Sequence, residues 1–250
     1  MINFQKKIPN ILVIGDLMVD QYLWGNCNRI SPEAPVQIVK INQENKVLGG
    51  AGNVVNNLKQ LGSGVDILSV IGDCETSNEL ESLLNNIDVE TKNLLRQKNR
   101  ILSKKTRIIA AQQQVVRYDI ESNDEINNDS ENKLISIFKK NINIYDLVLI
   151  SDYGKGVLTN KLTKSLITIA KKSNIRVLVD PKGDDYSKYK GAFLITPNKK
   201  EASEASKIKI KDNNSLLKAI KKLKSDLNLS ISLITLSDEG IAIYDKEFRT

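Results

Sequence analysis

Acidic residues recur just beyond the ends of short apolar runs in this sequence, where their types and spacing suit polyol and phosphate chemistry. The first run, "ILVIGDLMVD", closes on Asp16 and Asp20. Two carboxylates there can accept hydrogen bonds from the vicinal hydroxyls of a polyol, although ordinary turn acids would look the same. "LISDYGKGVL" sets Asp152 and Lys155 around two glycines, an acid and a base suited to a phosphate or hydroxyl contact. "LVDPKGDDYSKYKG" brings Asp180 and Lys182 to another edge. In "LITPNKKEA", Asn198 and Glu201 stand three apart behind Pro197. That spacing makes a capping box at a helix start. Its functional reading has Glu201 reaching a Mg²⁺-bound water and Asn198 a nucleotide phosphate. "LITLSDEGIAIY" reads as a hairpin, or as a turn at 237–240 whose backbone wraps a nucleotide phosphate or base.

The glycine run "VLGGAGNVVNNLKQLG" crowds Gly49, Gly50 and Gly52 before a helical pattern of Val54, Val55, Leu58 and Leu61. A glycine turn opening a helix suits polar or anionic groups. It is not a Walker A loop, because no Lys-Ser or Lys-Thr pair follows. A dinucleotide fingerprint lacks its third glycine, and the strand at 11–14 lies well upstream. Asp73, at a suggestive distance downstream, keeps a dehydrogenase open as an alternative, as does a tight turn with no ligand.

The elements that must position these residues alternate. Continuous apolar runs at 11–14, 65–70, 147–150, 177–179, 192–195 and 231–236 predict strands of a parallel sheet covered on both faces. Helical spacing predicts helices at 53–61, 78–87, 131–140, 161–172, 199–206 and 214–227. The acidic, Asn-rich stretch 121–132 reads as an exposed loop. Two β-branched stretches, 34–41 and 100–120, have no helix between their strands and read as antiparallel strands outside the main sheet, a lid beside the cleft. Ligands of open α/β sheets bind at the carboxyl ends of the strands, where the acids above fall.

Composition narrows the function. The 250 residues include no His, which removes His-based triads and the commonest transition-metal ligand. The two cysteines, Cys27 and Cys74, lack metal spacing and suit a reduced cytoplasm. "MINFQKKIPN" has no apolar stretch of secretory type, and no run approaches the roughly 20 apolar residues of a membrane span. The net charge of +7 is mostly lysine spread over amphipathic helices such as "SLLKAIKKLKSDL". Sparse aromatics argue against a nucleic-acid surface. The expectation is a cytoplasmic protein with no nucleic-acid or membrane partner, its charge helping to draw in phosphorylated ligands.

Together, "GGAGNVVNNLKQLG", "RISPEAPVQIVKI", "KTRIIAAQQQVVRYD", "SDYGKGVL", "DPKGDDYSKYKGA" and "LITPNKKEA" resemble the ribokinase-like, or phosphofructokinase-B, sugar kinases over nearly the whole chain. The resemblance is nearest to the branch in which a heptose-7-phosphate kinase is joined to an adenylyltransferase. It implies a three-layer α/β/α fold with a mostly parallel central sheet and a small β-sheet lid, with lid strands within about 17–42 and 98–120. It implies ATP and Mg²⁺, heptose 7-phosphate as substrate, phosphorylation at the anomeric hydroxyl and a homodimer through the lids. By the same resemblance Asp16, Asp20, Gly49, Gly50 and Asn53 hold sugar hydroxyls, and Arg107, Arg117 and Lys155, with Asp152, meet the substrate phosphate or hydroxyls. Lys182, Asn198, Lys199, Lys200, Glu201, Thr235, Ser237 and Gly240 face ATP, with Glu201 acting on the metal through water. Ser237 stands where many members have the middle Gly of T-x-G-x-x-G. The family's Gly-Ala-Gly-Asp, which carries the catalytic base, is expected beyond Thr250, so residues 1–250 read as a kinase domain lacking its C-terminal part and the adenylyltransferase. Another sugar kinase of this fold, or a non-catalytic sugar-phosphate-binding fragment, remain the alternatives.

Overall fold

The computed structural model describes residues 8–250. The described residues form two sheets. In chain order the strands are β1 (Asn10–Gly15), β2 (Leu17–Ile30), β3 (Gln37–Gly50), β4 (Gly64–Gly72), β5 (Leu94–Gln97), β6 (Ser103–Ala110), β7 (Gln113–Ile120), β8 (Leu147–Ser151), β9 (Arg176–Asp180), β10 (Leu194–Ile195), β11 (Ile231–Thr235), β12 (Ile241–Tyr244) and β13 (Phe248–Arg249). The helices are α1 (Ala51–Gln60), α2 (Glu75–Asn85), α3 (Asn128–Asn141), α4 (Asn160–Lys172), α5 (Lys199–Ser206) and α6 (Asn213–Asp226).

The main sheet runs β13-β12-β11-β10-β9-β8-β1-β4-β5, parallel except where β12 and β13 return antiparallel. Continuous apolar strands suit this arrangement because alternate residues enter opposite cores. Leu12 and Ile14 face the core beneath α3 to α6, whereas Ile11 and Val13 face the one beneath α1 and α2. Across the other strands the second face is barer. Leu178, Leu194, Ile231, Leu233 and Ile243 are only part-buried and belong to neither core.

The second sheet runs β3-β2-β6-β7 and forms the expected lid. It reaches further into the sequence than the β-branched stretches predict. The strand after Gln37 continues to Gly50, so the glycine run ends a lid strand, and α1 begins at Ala51 rather than 53. The stretch 121–132 is also corrected. Asn127 accepts a hydrogen bond from the Ser130 N–H at 2.8 Å and starts α3 inside it. Glu131 is buried there, bonded to Thr159 and to Lys161 at 2.5 Å. Asparagine favours that N-cap for the reason it favours loops: its side chain substitutes for a backbone acceptor.

Candidate active site

The end of β1, the ends of β8 to β11 and the root of the lid lie along one edge of the main sheet. The turn after β1 shows why the glycines are there. Gly50 has φ +57°, and a Cβ on it would lie 2.5 Å from the Asp16 carbonyl; one on Gly49 would lie 2.3 Å from Asp20 Oδ2. Without side chains, β3 can pass against the Asp20 carboxylate. Asp20 Oδ1 accepts from Arg107 at 2.5 Å, and Arg107 also lies 5.2 Å from the Tyr22 ring centroid. Arg117, opposite Arg107 in the β6–β7 register, holds Asp119 with two hydrogen bonds, at 2.8 and 2.5 Å. Asn53 is exposed on the first turn of α1.

Two expected sugar contacts are differently employed. Asp16 is 1% exposed and accepts hydrogen bonds from the N–H groups of Tyr153, Lys155 and Val157 at 2.8, 3.1 and 3.0 Å. Burial raises its pKa, while those three amides pull the other way. Asp152 is equally committed. It bonds Lys188 at 2.6 Å, the Tyr189 hydroxyl at 2.7 Å and the Gly154 N–H at 2.8 Å. A buried carboxylate survives only with such partners, and both acids tie together the turns at the ends of β1 and β8. Lys155 bonds Glu121 and Asn123 at 2.8 and 2.9 Å.

Further along this edge, the expected nucleotide residues are brought together. Asn198 bridges to Thr235, whose N–H donates to the Pro197 carbonyl at 3.0 Å, so the start of α5 and the turn after β11 are adjacent. The capping box is present: Asn198 accepts from the Glu201 N–H at 3.0 Å and Glu201 accepts from the Asn198 N–H at 3.1 Å. It leaves Glu201 a second oxygen, which holds Lys182 at 3.1 Å. Lys199 reaches Glu239 across the two elements at 3.5 Å. Lys200 instead runs along α5 to Glu204, with its side chain 85% exposed. The β11–β12 connection is the expected hairpin, and Ser237 takes φ +57° in it, a left-handed conformation suited to the family's glycine.

Asp180 lies between the two ends. Its nearest side-chain donor is the Thr196 hydroxyl at a long 3.5 Å. Burial and the neighbouring Glu201 carboxylate lift its pKa to about 6. Tyr153, whose hydroxyl pKa is raised mainly by burial, feels both Asp180 and Asp20. The excess of carboxylate oxygen around Asp180 and Glu201 fits a hard cation such as Mg²⁺ held partly through water. Among the described residues no three His, Cys, Asp or Glu side chains meet closely enough to hold a metal by themselves.

One residue escaped the sequence reading. Arg100 donates to the carbonyls of Lys155 at 2.6 Å and Asp124 at 3.1 Å, and its burial depresses its pKa. An arginine between a short strand and a β-branched run carries no local sign of such a role. The dehydrogenase alternative does not fit: the glycine run follows a lid strand rather than one of the main sheet, and Asp73 lies 3.4 Å from Arg96.

A main sheet with helices on both faces and a four-stranded lid at its carboxyl edge define a ribokinase-like fold. Solved structures share this fold. They include phosphofructokinase-2 from Escherichia coli (TM-score 0.74, 19% identity, 96% of this chain and 78% of that one) and Arabidopsis thaliana ribokinase complexed with ribose and ATP (TM-score 0.70, 14% identity, 96% and 76%). The chain matches the pfkB family carbohydrate kinases over residues 9–250 and belongs to that family. It is similar to the bifunctional protein HldE of Aliarcobacter butzleri, with 62% identity over 240 residues, 96% of this chain and 50% of the relative. The same protein of Sulfurimonas denitrificans is 58% identical over 241 residues. The chain spans about half the length of these curated relatives. Among the described residues no helix is long and apolar enough to cross a membrane.

Proposed function

We propose that this chain is the kinase part of an enzyme that transfers the γ-phosphoryl group of ATP, with Mg²⁺, to the anomeric hydroxyl of heptose 7-phosphate, making the 1,7-bisphosphate for ADP-heptose and hence for lipopolysaccharide or capsule. The carrying observation is the pair of polar clusters along the carboxyl edge of the main sheet. Asp20, Arg107, Arg117 and Lys155 gather at the lid end, and Lys182, Asn198 to Glu201 and Thr235 to Gly240 at the other. A sugar phosphate offers hydroxyls to Asp20 and an anion to the cations. ATP finds lysines and turn amides, and Glu201 and Asp180 offer oxygens to its metal.

The sequence contains no Gly-Ala-Gly-Asp. The curated relatives are about twice as long as this chain, and we propose that the catalytic base comes from polypeptide outside these 250 residues; the part-buried row from Leu178 to Ile243 is an apolar surface that such polypeptide would suit. Residues 1–250 alone are then a sugar-phosphate-binding unit with turnover lower by several orders of magnitude, since a positioned base contributes about 10²–10⁴-fold and anion-stabilising donors more. The test is a coupled ADP assay with a panel of sugar phosphates on the full-length protein and on residues 1–250. Fastest turnover of heptose 7-phosphate by the longer protein supports the reading. Faster use of another sugar phosphate overturns the substrate, and equal turnover by both chains overturns the placement of the base.

A further inference from the structure

The backbone of Lys155 is held on both sides of its Cα by opposite charges. Its N–H, with those of Tyr153 and Val157, donates to the buried carboxylate of Asp16 at the end of β1. Its carbonyl accepts from Arg100 at 2.6 Å. Gly154 at φ +67° and Gly156 at φ +83° alternate with the three donors. Left-handed residues placed this way turn successive N–H groups into an anion-binding concavity, and here the anion is the protein's own. The turn is also sealed against the segment leaving the lid. The Ile126 N–H donates to the Gly156 carbonyl at 3.0 Å, and a Cβ on Gly156 would lie 1.9 Å from the Asp124 carbonyl. Arg100 spans the two segments by bonding Asp124 as well as Lys155. The Lys155 ammonium then reaches Glu121, the residue after β7, and Asn123.

We infer that Asp16 and Arg100 are positioning residues: they fix the Lys155 backbone so that its ammonium is presented, from the joint between lid and main sheet, to the phosphate of a sugar phosphate. This rests on the reading of Lys155 as a contact for that phosphate. A lysine has four rotatable bonds and gives a point charge, not a fork. Its usefulness for recognition depends on a backbone that does not move, and a glycine-rich turn left to itself would move. Opposite charges on the two peptide units that flank its Cα remove that freedom. An amide in place of the Asp16 carboxylate would be isosteric, yet its NH₂ would confront N–H donors, so the concavity would lose its anion and at least one bond.

The test uses the full-length protein with heptose 7-phosphate and with heptose lacking the phosphate, comparing wild type, Asp16→Asn, Lys155→Ala and the double variant. Asp16→Asn is expected to lower kcat/KM for the phosphorylated sugar at least tenfold more than for the unphosphorylated one, with KM for ATP within twofold of wild type. The double variant should be no worse than Lys155→Ala alone, because residues acting through one contact are not additive. If Lys155→Ala leaves the preference for the phosphorylated sugar unchanged, the reading of Lys155 fails. If Lys155→Ala lowers that preference but Asp16→Asn does not, or the two losses multiply, the positioning role fails while the reading of Lys155 stands. Should Asp16→Asn not fold, Arg100→Lys, which keeps the charge but loses the second carbonyl bond, takes its place with the same expected outcomes.

Discussion

The Asp20 carboxylate and the Arg107 guanidinium meet at 2.5 Å at the root of the lid, with their side chains 18% and 21% exposed. Each is a candidate ligand group, and without ligand each occupies the other. Arg117 is matched in the same way to Asp119. On the proposed function a sugar phosphate would enter by exchange, its hydroxyls taking Asp20 and its anion drawing on the cations that Asp20 and Asp119 hold.

From this exchange, Asp20→Ala in the full-length protein should weaken use of the sugar phosphate more than use of ATP, because Asp20 lies at the lid end and the nucleotide residues at the other. Loss of a charged acceptor is worth about 1.5–3 kcal/mol, or roughly ten- to a hundredfold in kcat/KM. Steady-state kinetics with each substrate varied in turn checks it. Unchanged constants for the sugar phosphate would remove Asp20 from the site.

The sequence revealed the frame more readily than the duties of particular acids. Strands buried on both faces announce themselves by continuous apolar runs, and the helices by their period, so both were legible. Leu94–Gln97 was not, because four mixed residues at a sheet edge carry no pattern. The partners of Asp16 were not legible for a physical reason: a carboxylate at a strand end looks the same whether it faces a ligand or the amides of a neighbouring turn, and that turn lies 137 residues away in sequence for Tyr153. The partners of Asp152 were hidden in the same way, since Lys188 and Tyr189 reach it from a later segment. The Asn198–Glu201 pair was legible because its first partners are local.

Ser237 holds a φ of +57° in the turn beside the nucleotide end. A left-handed L-residue costs about 1–2 kcal/mol, and part of that returns as unfolded-chain entropy when glycine replaces it. Ser237→Gly should therefore stabilise the protein by about 0.5–1 kcal/mol. A thermal melt monitored by circular dichroism should show a higher midpoint; a lower one would mean that the serine side chain contributes a bond worth more than its strain.

The lid offers apolar surface on both edge strands and their connection: Val36, Ile41 and Val47 on one side, Val115, Val116, Tyr118 and Ile120 on the other, all at least 37% exposed. Unpaired strand edges with apolar residues favour pairing with another chain. The expected outcome is a homodimer through the lids. Light scattering at micromolar concentration should give twice the chain mass, falling to one chain in Val116→Glu. A wild-type protein that scatters as a monomer would refute it.

Asp180 should make both stability and metal-nucleotide binding depend on pH. Its ordinary pKa of 3.8 rises in the fold to about 6, through burial first and then the Glu201 carboxylate, with Thr196 and Lys182 opposing and Asp152 adding to the rise. Below the lower value the folded and unfolded states both hold the proton, and the group is indifferent. Between the two values the folded state keeps a proton that the unfolded chain has lost, so stability falls as pH rises through that window. Above the upper value the buried charge exacts its full cost. Asp180→Asn has no such proton, so its melting temperature should exceed that of wild type at about pH 7.5, the difference shrinking towards about pH 4. A divalent cation beside the carboxylate would favour its charged form. Binding of Mg·ATP to wild type at about pH 6 should therefore release protons, and release far fewer at about pH 8. Calorimetry in two buffers of different ionisation enthalpy reads that release directly. A melting difference that does not change with pH, together with no proton release at the lower pH, would show that Asp180 titrates normally and takes no part in holding the metal.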